Sequence, residues 1–248
     1  MNTFPSLLTV NRTVIIIVVI LVALASAVRA QQTDHNLKQQ ILTQAQNVRP
    51  DDYAFTRTIR TDQNSAGKSE KKVTVERFDP RKPADQRWTL VSVDNAAPSE
   101  DELAAFRKDS AKRRAVPGYF RLAGYFGSPA TMSTDTAGRT VFHFGSLPKD
   151  AIRVFDTDVS QNATAEALIN PANNPPFVEQ IRVTVKPMRI KLIMKLQQFE
   201  STSRYRMGSD GEPFLWEQTS DMTGAGMGRE GRAHTVVSYS DYTFVGNK

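Results

Sequence analysis

The stretch "MRIKLIMKLQQF", residues 188–199, could form any of three structures: a membrane-surface helix, a nucleic-acid-binding patch or a sheet strand. Its apolar side chains fall on alternate positions, namely Met188, Ile190, Leu192, Met194 and Leu196. The positions between them carry cations or glutamine, with Ile193 as the exception. Such alternation is typical of a strand with one apolar and one solvated face. After Gln197 the apolar residues change to odd positions, which predicts a β-bulge near Gln197–Gln198.

A helix is the alternative for this stretch, because Leu192, Ile193 and Leu196 also form a stripe at helical spacing. Pro187 and the preceding "IRVTV" favour the strand. As a strand, the stretch places its cations in solvent and turns two adaptable methionines toward a predicted cavity. Elsewhere no basic stripe with interleaved aromatics persists, so the sequence predicts no nucleic-acid partner.

The first thirty residues have the pattern of a secretory signal peptide. Arg12 precedes twelve apolar residues, 14–25, and Val28 and Ala30 supply the small side chains of a cleavage site. The apolar run is shorter than the ~20 residues of a spanning helix, although an uncleaved anchor is the alternative. The chain has no cysteine, hence neither a lipoprotein cysteine nor disulfides. We therefore predict a periplasmic protein, cleaved near Ala30, with at most peripheral or transient membrane contact.

Residues 31–248 are predicted to form a single domain in which strands dominate. Removing residues 1–30 lowers the formal charge from +6 to about +4. One helix is predicted over residues 34–48, and a second begins at a capping box formed by Ser99 and Glu102. Most other segments are short runs rich in β-branched and aromatic residues between turn residues. The aromatic pairs at 119–120 and 125–126 are assigned to strands as well.

No catalytic or metal signature stands out. The three histidines lie in no metal-ligand spacing, and the hydrolase pattern G-x-S-x-G is absent. The glycine-rich "GAGMGREG", residues 224–231, lacks the strand–loop–helix context of a nucleotide site, so a hairpin loop explains it better. We predict no cofactor and no metal, and a non-catalytic protein is favoured over an enzyme.

The order of elements resembles the LolA/LolB-like superfamily of periplasmic lipoprotein carriers. The resemblance rests on Tyr205, the turn Asp210–Gly211 with Pro213, and the closing "YSDYTF" at 239–244. It implies an α+β, β-dominated fold: a strongly curved antiparallel sheet, an unclosed half-barrel, with two or more helices on its concave side. It also implies binding of lipid acyl chains without covalent chemistry.

The predicted function is therefore a periplasmic binding protein that holds a lipid or another apolar small molecule in a half-barrel cavity. The candidate cavity residues are Tyr53, Phe55, Ile190, Leu192, Met194, Leu196, Phe199, Tyr205 and Trp216. Arg57 follows two aromatic residues on one strand face and is the candidate interior polar anchor. Two alternatives stay open: a hydrolase whose acidic residues converge only in the fold, and a structural component of an envelope complex with protein partners.

Overall fold

The computed structural model describes residues 35–65, 67–110, 116–155, 157–170, 172–191, 194–226 and 229–246. The predicted signal peptide and Leu192 lie outside these residues. The chain divides into two compact units, Met1–Gln40 and Ile41–Lys248. In the first unit the described residues, 35–40, are helical. Within the described chain, no helix combines the length and apolar character that crossing a membrane requires.

Three α-helices are described. Helix α1 spans residues 35–47, as the sequence predicted, α2 spans Glu100–Ser110, and α3 spans Leu122–Phe126 after a 3-10 turn at Tyr119–Arg121. The predicted capping box is present at α2. The Ser99 amide donates to Glu102 Oε2 at 2.8 Å, and the Glu102 amide donates to Ser99 Oγ at 3.3 Å. These two bonds satisfy donors that a helix start otherwise leaves unpaired.

The remaining regular structure is β. The strands are β1 Tyr53–Ser65, β2 Lys68–Phe78, β3 Trp88–Val93, β4 Thr131–Thr134, β5 Thr140–Phe144, β6 Arg153–Val154, β7 Thr157–Asp158, β8 Ala163–Ile169, β9 Val178–Val185, β10 Met188–Lys191, β11 Met194–Met207, β12 Pro213–Gly226 and β13 Arg229–Phe244. Eleven of them form one sheet, in the order β3-β2-β1-β13-β12-β11-β9-β8-β5-β4, with β10 paired to β11. All neighbouring strands pair antiparallel. The two edge strands of the sheet, β3 and β4, do not pair with each other. The fold is the predicted β-dominated, unclosed half-barrel.

The stretch at residues 188–199 contributes to a hairpin of β10 and β11 rather than to one strand. Met188 pairs with Leu196, and Arg189 pairs with Lys195, in antiparallel register. The register of β11 against β12 then shifts between Leu196 and Gln198, which confirms the predicted bulge. Arg189 and Lys195 are exposed, whereas Ile190 and Leu196 are buried. The alternation of charge and apolar surface is therefore that of a β structure.

Two local assignments were wrong. The aromatic pairs at 119–120 and 125–126 lie in the 3-10 turn and α3, where Leu122 and Phe126 are both buried one helical turn apart. The segment at 151–159 is one of the short runs rich in β-branched residues that the sequence assigns to single strands, but it forms the two-stranded sheet β6–β7. Phe155 has φ 48°, a left-handed conformation that turns the chain and that a continuous strand excludes.

The helices identify the inner face of the sheet. The Phe126 ring packs at 5.4 Å from Phe142 and 5.2 Å from Phe144, and the Tyr119 ring packs at 5.2 Å from Tyr205. Cross-strand pairing places side chains from every strand of the long sheet on this same face. We call it the inner face, and the opposite one the outer face.

Candidate functional site

One end of the inner face is filled by aromatic rings. Phe55 is 2% exposed. Its ring centroid lies close to four others, at 5.2 Å from Phe78, 5.7 Å from Trp88, 5.8 Å from Tyr239 and 5.3 Å from Tyr242. The Tyr53 ring packs against Tyr242, and its hydroxyl donates to Asp210. The space left beside these residues is only about 40 Å³, so Phe55 lies in packed core and the half-buried Tyr53 lies at its edge.

An ion pair lies beside this aromatic cluster. Arg57 Nη2 is 2.5 Å from Glu76 Oε2, and Arg57 Nε donates to the same oxygen at 2.7 Å. The Glu76 side chain is 2% exposed and that of Arg57 15%. The guanidinium carbon also lies 3.9 Å from the Trp88 ring centroid. Arg57 therefore lies on the inner face as an interior polar residue. It contacts Glu76 on β2 and Trp88 on β3.

Two further candidate residues lie apart from any open space on the inner face. Tyr205 is buried against Tyr119, whose hydroxyl donates to Gln44 Oε1 at 2.8 Å and accepts from the Val178 amide at 3.0 Å. Trp216 stacks under Arg206, with the guanidinium carbon 3.8 Å from the ring centroid. Because Arg206 follows Tyr205 in the strand, it lies on the outer face, and so does Trp216.

Burial favours the neutral form of several tyrosines. Burial raises the pKa of Tyr239 to about 12, although Arg57 counteracts the shift. Burial also raises the pKa of Tyr205, Tyr119 and Tyr242 well above the usual range. These hydroxyl groups stay neutral near pH 7 and act as packing and hydrogen-bonding groups.

The other end of the inner face holds an open cavity of about 550 Å³. Its apolar side chains are Phe155, Ile190, Met194, Leu196, Met222 and Ala233. Leu196 is 1% exposed and Ile190 9%, whereas Phe155 is 49% exposed at the opening. Phe199 lies beside the cavity, because it pairs with Met222 on the same face and is half-buried. The structure thus brings Ile190, Met194 and Leu196 together around one cavity.

Glycines form the floor of this cavity. Gly224 pairs with Gly231, and Gly226 pairs with Arg229, at the joined ends of β12 and β13. Sequence reasoning assigned residues 224–231 to a loop and missed this role. The signal was present in the spacing, since Gly224 and Gly226 are two residues apart and therefore share a face of a strand. The absence of their side chains leaves backbone exposed to the space above.

A polar network lies on the outer face, far along the sheet. Ser133 Oγ is 2.8 Å from His143 Nε2, and His143 Nδ1 is 3.2 Å from Glu166 Oε1. The three residues lie on the adjacent strands β4, β5 and β8. The His143 side chain is 39% exposed and that of Glu166 54%. Among the described residues, no group of three or more acidic or histidine side chains is arranged to hold a metal ion.

Solved structures similar to this chain include a DUF1329 family protein from Desulfovibrio piger, at 12% identity over 88% of this chain and 94% of that one, with a TM-score of 0.35. They also include a LolA superfamily protein from Nitrosomonas europaea, at 13% identity over 85% of this chain and 94% of that one, with a TM-score of 0.32. No family model and no curated protein matches the chain. Both TM-scores lie below 0.5, so neither likeness indicates a function for this chain. A LolA superfamily protein is thus among the structures that this chain resembles, as the sequence predicted.

Proposed function

We propose that this chain is an exported binding protein that holds an apolar ligand, such as a lipid acyl chain, at the open end of its half-barrel. The signal-peptide pattern of residues 1–30 supports export to the periplasm. The ligand is bound without covalent chemistry, and the aromatic rings around Phe55 leave only about 40 Å³ of space beside them. The protein in this proposal meets membranes only transiently, when ligand enters or leaves.

The cavity of about 550 Å³ is the observation that carries this proposal. Its volume lies within the ~300–1,000 Å³ that is usual for small-molecule sites. Apolar side chains converge on it from β10, β11 and β12, and the exposed Phe155 lies at its opening. A ligand that covers these side chains removes apolar surface from water, which is the main driving force of such binding.

Replacing Met194 by aspartate is expected to weaken binding of a neutral apolar probe about tenfold or more. A carboxylate at the cavity wall must either lose its hydration under the ligand or keep water in the cavity. The measurement is a fluorescence titration of N-phenyl-1-naphthylamine into purified residues 31–248. Val91→Asp is the matched control, since Val91 is an exposed apolar residue, at 50%, on β3. Equal affinities of wild type and Met194→Asp, or no binding to wild type, would contradict the proposal.

A hydrolase is the second candidate, because Ser133, His143 and Glu166 are hydrogen-bonded in the series that a nucleophile, a base and an orienting acid require. Their surroundings differ from those of an active site. The acid is more than half exposed, so water competes for the hydrogen bond that would orient the histidine. The network also lies on a solvated sheet face and not over the described cavity.

Ester hydrolysis by this network is therefore expected to be absent. With p-nitrophenyl butyrate, the wild type and Ser133→Ala should release nitrophenol at the same rate. His143→Ala serves as the second variant. If the histidine acts alone as a surface base, hydrolysis is lost in His143→Ala but kept in Ser133→Ala. Saturable hydrolysis that Ser133→Ala abolishes would replace the binding proposal by a hydrolase.

A further inference from the structure

We propose that the ligand is an anionic amphiphile, whose chain lies over the glycine floor and whose acidic head group meets Arg229. This inference rests on the proposed function, since it specifies what the same cavity takes. Every ligand of this class has an alkyl chain joined to a sulfate, phosphate or carboxylate group. The chain and its acidic group can be a free molecule or part of a larger one.

The floor of the cavity has room for a chain. A Cβ added at Gly231 would come no closer than 3.6 Å to the Asn64 carbonyl oxygen and 3.7 Å to Ser65 Oγ, which are ordinary contact distances. The space at Gly224 on the neighbouring strand is tighter, since a Cβ added there would lie 3.1 Å from the Lys195 carbonyl oxygen. An alkyl chain can therefore lie on the backbone of β13 at Gly231, between the Met194 and Leu196 wall and the polar Gln63 and Ser65 on β1.

The charge around the cavity is unbalanced. Of the described residues that line it, Lys195, Arg229 and Arg232 are cationic and Glu230 is acidic. Glu230 accepts a hydrogen bond from Gln197 Nε2 at 3.1 Å, and Arg232 lies 4.0 Å from Asp221. In the part of the chain that the structure describes, no carboxylate lies within ion-pair distance of Arg229 or Lys195.

Arg229 is the cation on the ligand's side of the sheet. It is two residues from Gly231 and four from Ala233 in the same strand, so all three lie on the inner face. Lys195 and Arg232 alternate with the inner-face residues Leu196 and Ala233, so their side chains leave from the outer face. An anion on a chain that fills the cavity would therefore meet Arg229 first. Arg229 is exposed, so its attraction for the anion is greatest at low ionic strength.

The head-group preference is tested by displacing N-phenyl-1-naphthylamine with amphiphiles of one chain length, below their micelle concentrations and at low ionic strength. Dodecyl sulfate is expected to bind about tenfold more tightly than dodecyltrimethylammonium, with tetraethylene glycol monododecyl ether between them. Shortening the sulfate from twelve to ten carbons should weaken binding about fourfold per methylene removed. Raising the ionic strength should reduce the preference for the anion but leave the chain-length dependence unchanged.

Two variants assign the preference to residues. Arg229→Gln should lower the ratio of anion to cation affinity at least fivefold, whereas Arg189→Gln, which removes an exposed cation from the outer face of the neighbouring hairpin, should leave it unchanged. Gly231→Leu should weaken every dodecyl ligand by filling the floor. If no dodecyl ligand binds, the proposed function itself fails. If all three head groups bind equally, or Arg189→Gln acts as strongly as Arg229→Gln, the cavity still binds chains but the anionic inference is overturned.

Discussion

Arg57→Met is expected to lower the free energy of unfolding by about 3–5 kcal/mol, the size usual for breaking a buried ion pair from one side. The Glu76 carboxylate is almost fully buried, and the substitution removes the guanidinium that approaches it to 2.5 Å. It also removes the cation above the Trp88 ring. Chemical denaturation followed by circular dichroism gives the midpoint and the slope that this prediction needs.

A matched pair elsewhere in the sheet separates burial from pairing. Arg182 lies 2.6 Å from Glu200, but these side chains are 49% and 33% exposed. Arg182→Met should therefore cost only about 0–1 kcal/mol. Arg57→Met/Glu76→Leu should recover most of the stability lost in Arg57→Met, because the buried carboxylate that loses its guanidinium contact is itself removed. Equal losses for Arg57→Met and Arg182→Met would show that the interior position of Arg57 has no energetic consequence.

The local features of the fold could be predicted from the sequence because they depend on neighbouring residues. Alternation over residues 188–196 gave the exposed and buried sides of the β10–β11 hairpin, and the change of parity after Gln197 gave the bulge. The capping box at Ser99 required only two residues three positions apart. Helix α3 escaped the same reasoning, since five residues are too few to establish a helical period.

The position of a residue along the half-barrel could not be predicted, because it depends on long-range register. Phe55 and Ile190 both lie in segments where apolar and polar residues alternate. The pairing of Tyr53 with Phe244 nevertheless brings Phe55 to the filled end of the inner face, whereas Ile190 lines the cavity at the open end. Trp216 is the extra residue between the pairs Arg204–Glu217 and Tyr205–Leu215. A bulge moves a side chain to the other face, so alternation along the strand could not place Trp216 on the outer face.

The inner face thus changes character along its strands, from packed rings through hydroxyl groups to an open apolar cavity. Between the two ends, Thr61 Oγ1 lies 3.5 Å from Thr235 Oγ1, and Gln218 Nε2 donates to Ser201 Oγ at 3.4 Å. These polar groups satisfy one another across four strands. The packed end supplies stability and the open end supplies binding, so substitutions at the two ends should have separable effects.

Phe55→Ala tests that separation and is expected to cost about 3–5 kcal/mol of stability, with unchanged affinity of the folded protein for N-phenyl-1-naphthylamine. Phe55 is 2% exposed and packs among four rings, so its removal leaves a cavity that the rigid strands cannot close. Met194 is expected to behave in the opposite way, with binding affected more than stability. The measurements are denaturant midpoints and probe titrations on the same preparations.

Phe244→Ala is the control for this second test, since Phe244 is 39% exposed and borders the same cluster through Tyr53. It should lose far less stability than Phe55→Ala, because a partly exposed ring has less apolar surface removed from water on folding than a buried ring has. If Phe55→Ala instead kept its stability and lost probe affinity, the aromatic end would be the binding site. The cavity beside Met194 would then have to be explained without a ligand, and the anionic inference at Arg229 would fall with it.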